Sequence, residues 1–252
     1  VPLNVSFGKD NYKDGVDITA DDFYRRLGEE SVLPLTSAPS PGSFKDIIKS
    51  VSNEADGIIS IHISSKLSGT YEAAIAGKRE VTRDIRIEVV DSQSASGGLG
   101  LLVIAAAKLA NEGMALNSIM EFIHVSIPKI FIAGALDTLK YLEKGGRIGK
   151  AQALVGSMLH IKPMISVRDG IVVPLEKVRT HAKAVERLYQ LAAERMPARE
   201  IGVIYSTEFG EAEIMVKRLQ ELAPTQHIYL SRFGPCLGTY VGPGSLGVIT
   251  LT

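Results

Sequence analysis

The chain has 252 residues, 45% of them apolar, and sets 28 Lys and Arg against 28 Asp and Glu. That is enough length for one large or two medium domains, and the balanced charge lacks the basic field that points to nucleic acid or an anionic membrane surface. A single cysteine, Cys236, excludes an internal disulfide framework, and five scattered histidines supply no metal-ligand spacing, so no cofactor is expected and a reducing cytoplasm is the expected compartment.

Taken in order, the chain opens on Val1-Pro2-Leu3 inside an apolar run, with neither a methionine nor a signal-peptide pattern, which leads us to expect a missing upstream segment. Residues 1–7 read as a strand and Asp14-Gly15 as a turn. Thr19 followed by Asp22 resembles a capping box opening a helix over 21–27. Residues 34–42, with three prolines and three hydroxyls, read as a stiff loop in which Ser40 caps and Pro41 opens the next helix. A strand over 58–63 precedes a helix over 71–80, a strand over 85–90 and an apolar helix over 97–110. A helix over 116–127, a strand over 130–133 and a short helix over 136–142 complete an α/β unit with a mostly parallel sheet, assigned to residues 1–149. The glycine-rich basic stretch 143–149 (EKGGRIG) lacks the P-loop pattern and reads as a helix C-cap or hinge.

Residues 150–252 read as a smaller α+β domain. A helix over 151–159 leads into strands over 163–167 and 171–178, joined at Asp169-Gly170, a strong hairpin signal. Helices over 181–195 and 211–222 alternate with strands over 201–205 and 228–231, and a strand over 246–251 closes the chain. The glycine-dense stretch 233–244 brings backbone close to the other domain or to a ligand. No apolar run approaches the roughly 20 residues of a membrane-spanning helix.

The stretch 57–71 (GIISIHISSKLSGTY) carries the site expectation. Its hydroxyls, ending in Ser68-Gly69-Thr70, fall where a strand ends and a helix begins, the place where free N–H groups and the helix dipole hold anions. The alternative is that Ser68 only caps its helix. Thr36-Ser37 and Thr239-Tyr240 are two further hydroxyl-bearing segments at element ends; if all three converge, they form a pocket of neutral donors. No histidine, cysteine or carboxylate in them activates a serine, and G-x-S-x-G is absent, so no catalytic residue is assigned. Glycines 97, 98 and 100 do not meet the dinucleotide-binding spacing.

Several motifs, in order over the whole chain, resemble the DegV family: TSAPSPG at 36–42, ISSKLSGTY at 63–71, the VVDSxSAS and glycines of 89–100, DTLxYLxKGGRIG at 137–149, HIKP ending at Pro163, PLEKVRT at 174–180 and GPxxGTxxGPG at 234–244. The resemblance implies two α/β domains with a long-chain fatty acid between them, handed to a separate fatty acid kinase subunit that makes the acyl phosphate for phospholipid synthesis. It implies a carrier and not an enzyme, holding no ATP. The family's carboxylate-binding hydroxyls fall on Thr36 and Ser68, with Ser37, Gly69 and Thr70 beside them; its common histidine is here Tyr240 and its frequent glutamine Ala38. The family's first strand and Asp-Ser loop, which precede a VPL segment, have no counterpart. Val155, Met158, Leu159, Ile161, Met164, Ile165 and Leu246 are the expected tail sleeve, and Arg147, Lys177 and Arg179 the expected partner-facing cations. The rival expectation is a hydrolase or transferase of a small acylated or phosphorylated substrate using the same oxyanion pocket; a weaker one is a regulatory module with a vestigial cleft.

Overall fold

The computed structural model describes residues 1–157 and 161–252. Strand β1 (Asn4–Phe7) pairs antiparallel with β2 (Asp10–Lys13) and with β3 (Leu35–Ser37), making a small three-stranded sheet. Part of the proline-rich stretch expected as a loop is therefore a strand, and Thr36 sits opposite Val5. Between β2 and β3 lies α1 (Ala20–Glu29), opened by a capping box in which the Asp22 N–H donates to Thr19 Oγ1 at 3.1 Å and the Thr19 hydroxyl bonds the Asp22 carboxylate at 2.8 Å. Helix α2 (Pro41–Val51) starts as its sequence indicates: Ser40 caps it, accepting from the Ser43 N–H, and Pro41 takes the first turn.

Strands β4 (Gly57–His62) and β5 (Arg86–Asp91) form a parallel pair joined through α3 (Thr70–Arg79). Helices α4 (Ser96–Asn111) and α5 (Leu116–Ser126) follow, then β6 (Ile130–Ala135) and α6 (Lys140–Lys144). A 3-10 segment, Gly149–Ser157, stands in the region expected as a helix over 151–159.

The largest sheet has six strands in the order β10-β9-β11-β6-β7-β8, with β7 (Lys162–Arg168), β8 (Ile171–Val178), β9 (Glu200–Tyr205), β10 (Ile228–Arg232) and β11 (Leu246–Leu251). The α/β class is as the sequence indicates, while parallel pairing among the described strands is confined to β4–β5 and β9–β10. The reason is β6: it comes from before residue 149, yet it pairs antiparallel with β11 and β7. Asp169 and Gly170 both take positive φ, 52° and 78°, turning β7 tightly into β8.

Helices α7 (His181–Ala193) and α8 (Phe209–Leu222) cover one face of this sheet. Leu188, Met215, Leu219, Met164 and Leu246 fill that layer with at most 2% exposure. Helix α4 covers part of the other face through Leu101, against Ile204 and Ile249. No described helix is long and apolar enough to cross a membrane.

Candidate functional site

Segments far apart in sequence meet around one cavity. The first is β3, held as an edge strand on β1. The Thr36 hydroxyl on β3 shares a 2.5 Å hydrogen bond with the Tyr240 phenol, and Ser37 Oγ accepts from the Asn4 amide at 3.3 Å. Tyr240 lies on α9 (Pro235–Val241), a short helix in the stretch the sequence suggested only as close-approaching backbone. Its ring packs onto Gly145: a Cβ there would stand 2.6 Å from the ring carbons. Gly145 also caps α6, its N–H bonding Tyr141 and Glu143 carbonyls, so the basic glycine loop both ends a helix and seats the tyrosine.

The second segment is the turn between β4 and α3. Ser64 anchors it by donating to the Gly170 carbonyl at 2.8 Å, and Lys66 reaches the Asp169 carbonyl at 2.8 Å, so the β7–β8 turn clasps the serine loop. Gly170 must be glycine, because a Cβ there would meet Ser64 Oγ at 2.4 Å. The Ser65 hydroxyl donates to Asp91 at 2.6 Å, tying the same loop to the end of β5. Ser68 then faces the cavity while its hydroxyl bonds Thr70 Oγ1 at 2.8 Å and accepts from the Thr70 N–H at 3.4 Å. Ser68 stands one residue before the N-cap, Gly69, and the helix has no side-chain cap bond, so the expectation that Ser68 only caps its helix does not hold.

The third segment brings Arg147. Its guanidinium donates to the Leu67 and Gly145 carbonyls, at 3.2 and 2.8 Å, and lies 5.4 Å from the centroid of the Tyr240 ring. Thr36, Ser37, Ala38, Ser68, Gly69, Arg147 and Tyr240 line one cavity of about 160 Å³. The rest of its wall is chiefly apolar, with Leu67, Leu142, Val172, Ile204, Phe233 and Leu237 prominent. Arg147 carries the only formal charge among the described lining residues, and none of them is a histidine or a carboxylate. The Cys236 thiol, also on the wall, is held up at about 12, chiefly by burial; the Asp14 charge adds to this and a hydrogen bond from Thr36 opposes it.

A larger open groove of about 1450 Å³ runs along β4 and α4 and shares Leu3, Ile63, Ser96, Ile204, Cys236 and Leu237 with the cavity. The converging hydroxyls make the smaller space the candidate site. Thr70 is 4% exposed and borders the groove rather than the cavity.

Of the residues expected along a tail, Ile165 lines the cavity. Val155 packs half-buried against the cluster of Leu139, Leu142 and Ile148, and Ile161 is half-buried just before β7. Met164 and Leu246 lie in the core on the opposite face of the sheet, 0% and 2% exposed, because alternation along a strand sends neighbours to opposite sides. They are therefore core residues and not part of this cavity's wall. Met158 and Leu159 lie outside the described residues. Lys177 and Arg179 are exposed at the end of β8, away from the cavity wall. Sequence reasoning missed the wall residues on β6, β9 and β11; their only signal was glycine within apolar strands, at Gly134 and Gly247. Among the described residues no group of three or more His, Cys, Asp or Glu is placed to hold a metal ion.

Among the described residues, the apolar cavity is headed by neutral hydroxyls and one guanidinium, a lining chemically suited to an amphipathic anion. The profile described as "Uncharacterised protein, DegV family" matches residues 1–252, and the chain belongs to the DegV family. A DegV domain-containing protein of Halalkalibacterium halodurans is 35% identical over 252 residues, covering 98% of this chain and 89% of its own length. A DegV family protein of Thermus thermophilus, solved for its fatty acid binding, superposes with a TM-score of 0.91 at 30% identity, over 100% of this chain and 91% of its own. A stearic acid-binding protein of Eubacterium ventriosum superposes with a TM-score of 0.89 at 27% identity, over 100% and 90%.

Proposed function

We propose that this chain binds a long-chain fatty acid, with the carboxylate on the Thr36, Ser37, Ser68, Gly69 and Tyr240 groups, Thr70 supporting Ser68, and the tail in the apolar cavity. The observation that carries this reading is the convergence of β3, the Ser68 turn and Tyr240 on one apolar cavity with a single cation among its described lining residues. A chain of about sixteen carbons at roughly 0.8 kcal/mol per methylene supplies on the order of 10 kcal/mol gross, against association costs of about 4 to 15 kcal/mol. Hydrogen bonds to the carboxylate add about 1.5 to 3 kcal/mol each. The tail sets affinity and the hydroxyls fix which end stays near the surface. A tail longer than the cavity continues along the walls it shares with the groove.

The protein acts as a carrier in the cytoplasm, presenting the carboxylate to a fatty acid kinase subunit that forms the acyl phosphate, with Arg147, Lys177 and Arg179 facing that partner. In this reading two lobes divide near residues 149 and 150, although β6, from before that point, pairs with β7 and β11. Among the described residues no base lines the cavity wall to activate Ser68, which favours a carrier over a hydrolase. Loading the purified protein with palmitate, denaturing it and extracting with solvent should return a stoichiometric acid by mass spectrometry. No retained acid would overturn the binding reading. Acyl phosphate formed from the loaded protein only when a kinase subunit and ATP are added would support the carrier role; turnover of model esters by the chain alone would overturn it.

A further inference from the structure

Across four adjacent strands of the six-stranded sheet, Ile204, Gly247, Gly134 and Ile165 stand side by side: Gly247 pairs with Ile204 on one flank and with Gly134 on the other, and Gly134 pairs with Ile165. All four line the cavity. Residues paired across strands point to the same face, so the row presents two isoleucines with a two-strand gap in bulk between them.

The two glycines differ in what requires them. A Cβ on Gly247 would stand 3.1 Å from the Ala133 carbonyl oxygen and 3.2 Å from Ile204, so the protein's own packing crowds that position. A Cβ on Gly134 would meet only Ile165, at 3.7 Å, an ordinary contact. Gly134 does not take a positive φ either. A glycine inside a strand weakens it and commonly marks close approach by a ligand or another backbone. At Gly134 the space in question is the cavity itself.

We propose that Gly134 sets how long an acyl chain the cavity accepts, by leaving bare backbone over which the tail runs between Ile204 and Ile165. This rests on the fatty acid reading above and adds the specificity-determining position. Three side-chain carbons at Gly134 would take the room of about two methylenes, and each displaced methylene costs roughly fourfold in affinity.

The test offers wild type, Gly134→Ala and Gly134→Val an equimolar mixture of lauric, myristic, palmitic and stearic acids and measures what each retains by mass spectrometry, with thermal melting as the check on folding. The expected result is a fall of roughly tenfold or more in the stearic-to-lauric ratio for Gly134→Val, with a smaller shift the same way for Gly134→Ala. The alanine variant, whose added carbon meets only an ordinary contact, keeps the test alive if the valine variant does not fold. Folded variants with the wild-type profile, or with equal loss at every chain length, would overturn the inference while leaving fatty acid binding intact. If the wild type itself retains no acid, the parent reading fails instead.

Discussion

The two faces of the six-stranded sheet are built from the same strands and do opposite work. Toward α7 and α8, Met164, Val203, Leu246 and Val248 interlock with Leu188, Met215 and Leu219, all of them at most 2% exposed. Toward the cavity, the central row carries Ile204, Gly247, Gly134 and Ile165, and the bulk is missing where the two glycines pair. One face is filled to specify the fold, and the other leaves a cavity beside the paired glycines. Alternation along a strand makes this division possible at the scale of one residue.

The division predicts that variants on the two faces have separable effects. The largest is in the filled face. Leu188→Ala, at a fully buried position in the core cluster, should cost about 2 to 5 kcal/mol in urea unfolding and leave the preference among retained acyl chains unchanged. A changed chain preference would mean the faces are mechanically coupled. Next comes the head of the cavity. Ser68→Ala should weaken palmitate binding in calorimetry by about 1.5 to 3 kcal/mol, the contribution of a hydrogen bond to a charged group. It also removes the hydrogen bond to the Thr70 hydroxyl, so a small loss of melting temperature accompanies it. Unchanged affinity would remove Ser68 from the site.

A pH scan separates stability from binding in a different way. Burial holds the His62 imidazole down at about 4, with a nearby Asp91 charge opposing. The folded state therefore disfavours the proton: the contribution is fully present above the ordinary histidine value near 6.5 and is lost as pH falls from there toward 4. Stability should drop by about 2 kcal/mol on going from pH 7 to pH 5, and His62→Gln should flatten that slope. Palmitate affinity measured between pH 6.5 and 8 should stay level, because no histidine or carboxylate is among the described residues lining the cavity.

Local chemistry made much of this legible in the sequence. Thr19 with Asp22, Ser40 with Pro41, and Asp169-Gly170 each specify a cap or turn within a few residues, and each forms. The hydroxyls of Thr36, Ser68 and Tyr240 stood out because they cluster at element ends, and they line one cavity. What pattern alone did not carry was pairing at long range. Nothing near residues 130–135 announces that β6 will join β7 and β11 antiparallel. The facing of β7 was hidden as well, because an irregular register between Met164 and Ile165 interrupts the regular pairing. Four glycines and two prolines in 233–244 obscured α9, whose helix occupies only Pro235–Val241.

The smallest expected effect sits at Tyr240, the one place where the head of the cavity departs from the histidine that the family resemblance leads one to expect. Its phenol and the Thr36 hydroxyl are hydrogen-bonded to each other at 2.5 Å. If the phenol supplies the proton of that bond, the Thr36 proton is free to point at the carboxylate. Tyr240→Phe keeps the ring against Gly145 but removes this orientation, and should cost about 0.5 to 1.5 kcal/mol in palmitate affinity. Tyr240→His separates orientation from charge. An imidazole with an ordinary value near 6.5 becomes a cation as pH falls through that point, while the ligand's carboxylate is still ionised. Affinity of the histidine variant should therefore rise as pH is lowered from 8 to 6.5, where the wild type stays level. A histidine variant as insensitive to pH as the wild type would show that residue 240 does not sense the ligand's charge, and would limit its role to holding Thr36.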